Sequence, residues 1–110
     1  MKNEFGEALD RNGYAPAIWG DFSFCPLCGK NSEVLQRHEV FHNDFGGKTR
    51  DKAKAYGLWL NVCPKCHDDI HHFPLKNAEL KRYYQKLAMA KYNWTEDDWR
   101  KRFGKSYLWE

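Results

Sequence analysis

Two Cys-x-x-Cys pairs constrain this chain more than any other feature. They are Cys25-Pro26-Leu27-Cys28 and Cys63-Pro64-Lys65-Cys66, each with a proline after the first sulfur. At that spacing a tight turn points both sulfurs at one place, and backbone N–H groups can donate to the thiolates. Gly29, next after the first pair, can take the positive φ that such a turn often needs. Two pairs supply the four thiolates of a tetrahedral zinc site. With all four positions filled, the ion would hold the fold and do no chemistry. Disulfides would need an oxidising compartment, and the start Met1-Lys2-Asn3-Glu4-Phe5-Gly6 has no apolar stretch of the kind that exports a protein. A cytoplasmic location is therefore expected. A redox pair would call for one Cys-x-x-Cys beside a βαβ pattern, which is absent. Cys63 to His67 also matches the c-type haem attachment pattern, but that use leaves Cys25 and Cys28 without a role.

The 110 residues suit one domain, residues 1–110, and the five Trp within 16% aromatics let a small core bury enough apolar area. No apolar run approaches the ~20 residues of a membrane span. Residues 1–21 are expected to be loosely structured, residues 22–75 to form the cysteine-bearing core, and residues 76–110 a helical extension. Phe22-Ser23-Phe24, the stretch from Val34 to Phe41, and Leu58-Trp59-Leu60-Asn61-Val62 read as strands. Between the last two, Gly46-Gly47 suits a turn and the rest a short helix. His67 to His72 allows one and a half helical turns, ending near Pro74. Leu80, Tyr83, Tyr84, Leu87, Ala88 and Lys91 recur at helical spacing within Lys76–Tyr92. Thr95 is a good N-cap, followed by Glu96-Asp97-Asp98 at the positive end of the dipole. Trp94 and Trp99 suit a hydrophobic staple, Phe103 follows on the same face, and Gly104 is placed to end the helix.

Charge is unevenly spread. Residues 1–36 carry a net −2, residues 37–67 a net +3 and residues 76–105 a net +5, while 68–75 hold Asp68, Asp69 and no base. The basic stretches would attract a polyanion, although solvated helix faces explain them equally well on charge alone. Five histidines fall at 38, 42, 67, 71 and 72. His67 and His71, four apart on a helix, share a face and can hold one cation. A zinc knuckle ending at Cys66 would anchor that helix, and His38-Glu39 could complete the site from across.

These residues form a recognisable set: the first cysteine pair, His38-Glu39-Val40-Phe41, Gly46-Gly47, Tyr56-Gly57-Leu58, and Cys63-Pro64-Lys65-Cys66-His67. The stretch from Cys25 to about His72 resembles the HNH, or ββα-metal, endonucleases, in the subset pinned by a zinc on four cysteines and found in small phage and prophage proteins. Phe103-Gly104-Lys105 and Tyr107-Leu108 resemble the ends of such proteins. His67-Asp68-Asp69-Ile70-His71 is similar to the metal-binding helix of colicin-type DNase domains. The resemblance implies an α+β fold, a small zinc-stabilised ββα-metal (HNH) core with two C-terminal helices. It implies metal-dependent hydrolysis of phosphodiester bonds in DNA, with structural Zn2+ and a catalytic divalent cation such as Mg2+ or Mn2+. DNA would be the partner, together with a phage or host DNA-processing protein.

Carried over by position, His38, His67 and His71 become ligands of the catalytic cation and Glu39 falls where the family places its general base. That is a departure, since the family ordinarily uses histidine there. Either Glu39 substitutes, or His38 is the base and Glu39 a ligand. The family's middle asparagine falls at Leu58, with Asn61 nearby but out of register. Lys48, Arg50, Lys52 and Lys54 are the expected phosphate contacts. A zinc-stabilised DNA-binding or adaptor protein without catalysis would share the knuckles and basic surface, but would have no use for three convergent histidines.

Overall fold

Gln36–Glu39, exposed over its first two residues and buried over its last two, becomes strand β1, and the largely apolar run Trp59–Val62 becomes β2. The two pair antiparallel, with Gln36 opposite Val62, Arg37 opposite Asn61, His38 opposite Leu60 and Glu39 opposite Trp59. Helix α1 (Thr49–Ala55) lies between the strands in sequence. Helices α2 (Pro64–His72), α3 (Pro74–Tyr92) and α4 (Glu96–Phe103) follow them. This is a computed structural model, and it describes residues 1–42 and 49–108. The expected Gly46-Gly47 turn and Lys48 lie outside the described residues. Among the described residues the architecture is α+β, with four helices, one two-stranded sheet and a cluster of four cysteines. No described helix is long and apolar enough to cross a membrane.

The expected strand over Phe22–Phe24 does not form. Those residues run through a bend, and their rings pack on one another, with Phe22 5.2 Å from Phe24 and 5.6 Å from Trp19 between centroids. Helix α2 starts earlier than the histidine pattern implies, because Cys63 is its N-cap and Pro64 its first residue. The Cys63 Sγ accepts from the Cys66 N–H at 3.4 Å. Proline suits that position, where its fixed φ is already helical and its missing N–H would be unbonded anyway. Phe73 closes α2 and opens α3, so Pro74 begins a helix as well as ending one.

The core gathers Val40, Phe41, Leu58, Leu60, Val62, Tyr84, Trp99, Phe103 and Tyr107, all essentially inaccessible. Helix α4 opens with a full capping box between Thr95 and Asp98, as its sequence predicts. It presents Trp99 and Phe103, stacked at 4.1 Å, to Phe41. Residues 1–20 contain no helix or strand beyond a single bridge between Lys2 and Ala8, yet they are fastened to the core. The Ala15 N–H donates to the Lys54 carbonyl, the Ile18 N–H to the Gly57 carbonyl, and the Trp59 indole to the Ala15 carbonyl. Glu4 is held by Arg102 and Tyr56, and Glu7 by Lys91, Tyr92 and Asn3.

Gly57 is where this strap meets the core. Its φ is +74°, and a Cβ there would lie 2.1 Å from the Pro16 carbonyl oxygen. Both the left-handed conformation and the close backbone approach require glycine. Gly57→Ala is expected to lower stability by at least about 1–3 kcal/mol, read as a drop in the urea midpoint at unchanged m-value. A midpoint equal to wild type would mean that the strap is not seated there.

Candidate functional site

The four cysteines come together as their spacing predicts. One Sγ from each of Cys25, Cys28, Cys63 and Cys66 lies within 4.8 Å of all the others. Cys28 and Cys63 approach to 3.8 Å, close to the roughly 3.8 Å edge of a tetrahedron with metal–sulfur bonds of about 2.3 Å. The first pair is shaped by the Gly29 N–H donating to the Cys25 carbonyl at 2.7 Å, with Gly29 at φ +74°. Burial disfavours a Cys25 thiolate, but the backbone N–H groups of Cys63, Cys28 and Leu27 outweigh it and bring the thiol down to about 7. Cys66 moves the opposite way, pushed up by burial and by the neighbouring Cys63, Cys25 and Cys28. Four sulfurs this close suit a divalent cation, which would offset the charge that they cannot all carry alone.

The second cluster joins β1 to α2. One ring nitrogen from each of His38, His67 and His71 lies within 4.8 Å of the others. Strand alternation sends Gln36 and His38 to the face met by α2, and the helical repeat brings His67 and His71 to meet them. His38 is 2% exposed, and its Nε2 has no hydrogen-bond partner among the described residues. A buried nitrogen lone pair without a donor is what a metal ligand leaves when the ion is taken away. The Gln36 Oε1 accepts from the His67 Nδ1 at 2.7 Å, which leaves the Nε2 lone pair to a cation. Sequence reading passed over Gln36, although its place two residues before His38 puts it on the same face of the strand.

Burial pushes His38 down to about 3, helped by the neighbouring imidazoles of His67, His42 and His71. His42 stands beside the group without joining it, with its ring 5.7 Å from His38 and 6.0 Å from His71. His72 turns away and bonds the Asp68 carbonyl of its own helix. Asp69 is engaged by Lys65 and Lys76. The imidazoles, and not the aspartates of the acidic stretch, therefore form the candidate cation site.

Glu39 stands apart from the histidine cluster. Alternation places it on the other face of β1, where the Tyr14 hydroxyl donates to its Oε1 at 2.8 Å and the Arg50 Nε at 3.1 Å. Burial raises its pKa, but these donors prevail and hold the carboxyl below the usual range. Burial and the Glu39 charge raise Tyr14 in turn, so the phenol stays protonated and donates. Arg37, missed in the sequence reading, projects beside them. Its guanidinium lies 4.2 Å from the centroids of both the Tyr14 and Trp59 rings. Arg37, His38, Glu39, His42, Arg50, His67 and His71 line a hollow of about 260 Å³. A larger hollow of about 580 Å³ lies behind the cysteine cluster, between α2 and α3, and is mainly apolar. The histidine chemistry is confined to the smaller one.

The basic residues expected to grip phosphate are placed differently from one another. Arg50 reaches the rim of the hollow and its side chain is 60% exposed. The Lys52 ammonium bonds the Arg102 carbonyl, and Lys54 lies over the Tyr14 ring at 4.8 Å. On α4, Arg100 pairs with Glu96 and Asp97, and Arg102 with Glu4. No protein-family model matches the chain, nor does any curated protein or solved structure.

The burial of His38 has a measurable sign. Its folded pKa is about 3 against 6.5 in the open chain, so between those values the unfolded chain binds the extra proton and acidification favours unfolding. Stability should fall from pH 6.5 towards 3 by up to about 1.4 kcal/mol per pH unit from this ring. His38→Gln should lose that part of the slope in urea titrations at stepped pH. Parallel curves for the two proteins would mean that the ring is solvated.

Proposed function

We propose that this chain is a metal-dependent HNH endonuclease that hydrolyses phosphodiester bonds in DNA, on a ββα-metal core held by a structural zinc on its four cysteines. The observation that carries this reading is the convergence of His38, His67 and His71 from a strand and the helix that packs against it. That helix starts at a cluster of thiols with zinc-like spacing. A binding module gains nothing from burying an unpartnered imidazole nitrogen, whereas a cation site requires one.

His38, His67 and His71 would hold the cation. Three neutral imidazoles favour a transition metal over Mg2+, which prefers carboxylate and water oxygens. When bound, the ion supplies Lewis acidity, offsetting the negative charge that builds on phosphate oxygens during displacement. Arg50 and Arg37, on the rim, would bind the flanking phosphate charge. With His38 in the ligand cluster, Glu39 takes the role of base. Water oxygen bonds to phosphorus as a water proton passes to the Glu39 carboxylate. The P–O3′ bond breaks, and the 3′ oxygen leaves and takes a proton from solvent. The Tyr14 and Arg50 donors keep Glu39 ionised, and the same donors make it a weaker proton acceptor than a free carboxylate. Among the described residues no module for reading base edges accompanies the site, which fits cleavage with weak sequence preference.

Supercoiled plasmid incubated with the purified protein should be nicked in the presence of Mn2+, Ni2+ or Mg2+ and left intact in EDTA. His67→Ala and His71→Ala should each slow nicking by at least about 100-fold, above the usual cost of disturbing a ligand's support. Tight plasmid binding with no cleavage under any of these ions would replace the nuclease by a DNA-binding or adaptor protein. Elemental analysis should find one zinc per chain, retained in His67→Ala. Cys63→Ser should lose that zinc together with the cooperative unfolding transition. Full cooperativity in a zinc-free Cys63→Ser protein would remove the structural zinc from the architecture.

A further inference from the structure

Residues 1–20 have no place in the cleavage chemistry described above and do not line its hollow, yet Tyr14 holds two of the side chains that do, Glu39 and Arg37. Its backbone is fixed on both sides. The Asp10 Oδ1 accepts from the N–H groups of Asn12 at 2.9 Å and Tyr14 at 3.0 Å, the Asp10 N–H donates to the Tyr14 carbonyl at 2.9 Å, and Ala15 is bonded to Lys54 and Trp59. Packing alone would be served by any ring in this place. Tyr14 does two further things at once. Its hydroxyl joins Arg50 on the Oε1 of Glu39, and no side chain among the described residues donates to Oε2. Its ring and that of Trp59 meet edge to face at 5.9 Å, and each has the Arg37 guanidinium 4.2 Å from its centroid.

We propose that Tyr14 is a positioning residue for phosphodiester cleavage: its hydroxyl holds Glu39 so that Oε2 faces the attacking water, and its ring holds Arg37 towards a phosphate of the bound DNA. The inference rests on the nuclease reading and adds to it a residue well before the first histidine of the site. Both halves follow from ordinary physics. A carboxylate fixed through one oxygen presents the other in a single direction, and misplacing a reacting group by an ångström costs rate without costing binding. A guanidinium stacked on a ring keeps its N–H edge free for phosphate and loses less freedom on binding it.

Two substitutions separate the halves. Tyr14→Phe keeps the ring and its contacts with Arg37 and Trp59 but removes the hydroxyl. It should lower kcat for plasmid nicking by about 10- to 100-fold, with KM for DNA unchanged. Tyr14→Leu removes the ring as well and should in addition raise KM several-fold. Action through Glu39 is tested by a double-mutant cycle, in which Tyr14→Phe combined with Glu39→Gln should be no slower than Glu39→Gln alone. Nicking by Tyr14→Phe at the wild-type kcat, or fully additive losses in the cycle, would overturn this inference and leave the nuclease intact. A wild-type protein that nicks nothing would overturn the nuclease reading, and the inference with it. Should Tyr14→Leu fail to fold, Tyr14→Phe and the cycle still decide.

Discussion

The meeting of four sulfurs governs the rest of this structure, because one of them belongs to three elements at once. Cys63 follows the last residue of β2, caps the start of α2 and stands 3.8 Å from Cys28 across the knuckle. The angle at which the helix leaves the strand is therefore set at a single residue, whose sulfur is pulled by its own helix and by the opposite loop. His67 and His71 come one and two turns further along. A helix of nine residues is marginal by itself in water. Its direction, and so the meeting of its imidazoles with His38, depends on the anchorage at its first turn. The unlike pKa shifts of Cys25 and Cys66 express the same dependence, since thiols crowded together can ionise together only against a positive centre.

The sheet does a second piece of sorting. Residues 38 and 39 are neighbours, but a strand sends neighbours to opposite faces. The neutral, buried ring goes to the imidazole cluster, and the carboxylate goes to a hydroxyl and a guanidinium. The uncharged imidazole and the carboxylate are thereby kept in different electrostatic surroundings within one hollow. The end of a short strand, open along its edge, lets both faces line the same space.

What could be read in the sequence was what is local. Cysteine spacing gave the sulfur cluster, the i, i+4 histidines gave two members of the imidazole cluster, and Thr95 with Asp98 gave the fourth helix. In each, residues three or four positions apart carry the local geometry, although the two cysteine pairs themselves meet across 35 positions. The start of α2 was misplaced because Cys63 and Pro64 were read only as parts of a metal knuckle, although a proline after a potential cap is also a helix start. The strand over Phe22–Phe24 failed because alternation needs a partner edge, which the fold does not provide. The N-terminal strap was illegible for a stronger reason. Its shape comes from bonds such as Tyr14 to Glu39, Ala15 to Trp59 and Glu4 to Arg102, which join positions far apart in the chain. The same applies to Lys52, whose ammonium is taken by the carbonyl of Arg102 on α4 that no local pattern reveals.

The strap clasps the first residues to the last two helices, since Glu4 is held by a side chain 98 positions later and Glu7 by others 84 and 85 later. The contact of Glu4 cannot form on a ribosome until Arg102 has been translated and released. Before then a growing chain lacks the clasp on Glu4, and Phe41 beside β1 lacks the Trp99 and Phe103 rings on which it packs. The clasp on Glu4 is thus among the last parts of the described fold that synthesis can complete, because its anchor Arg102 lies near the end of α4.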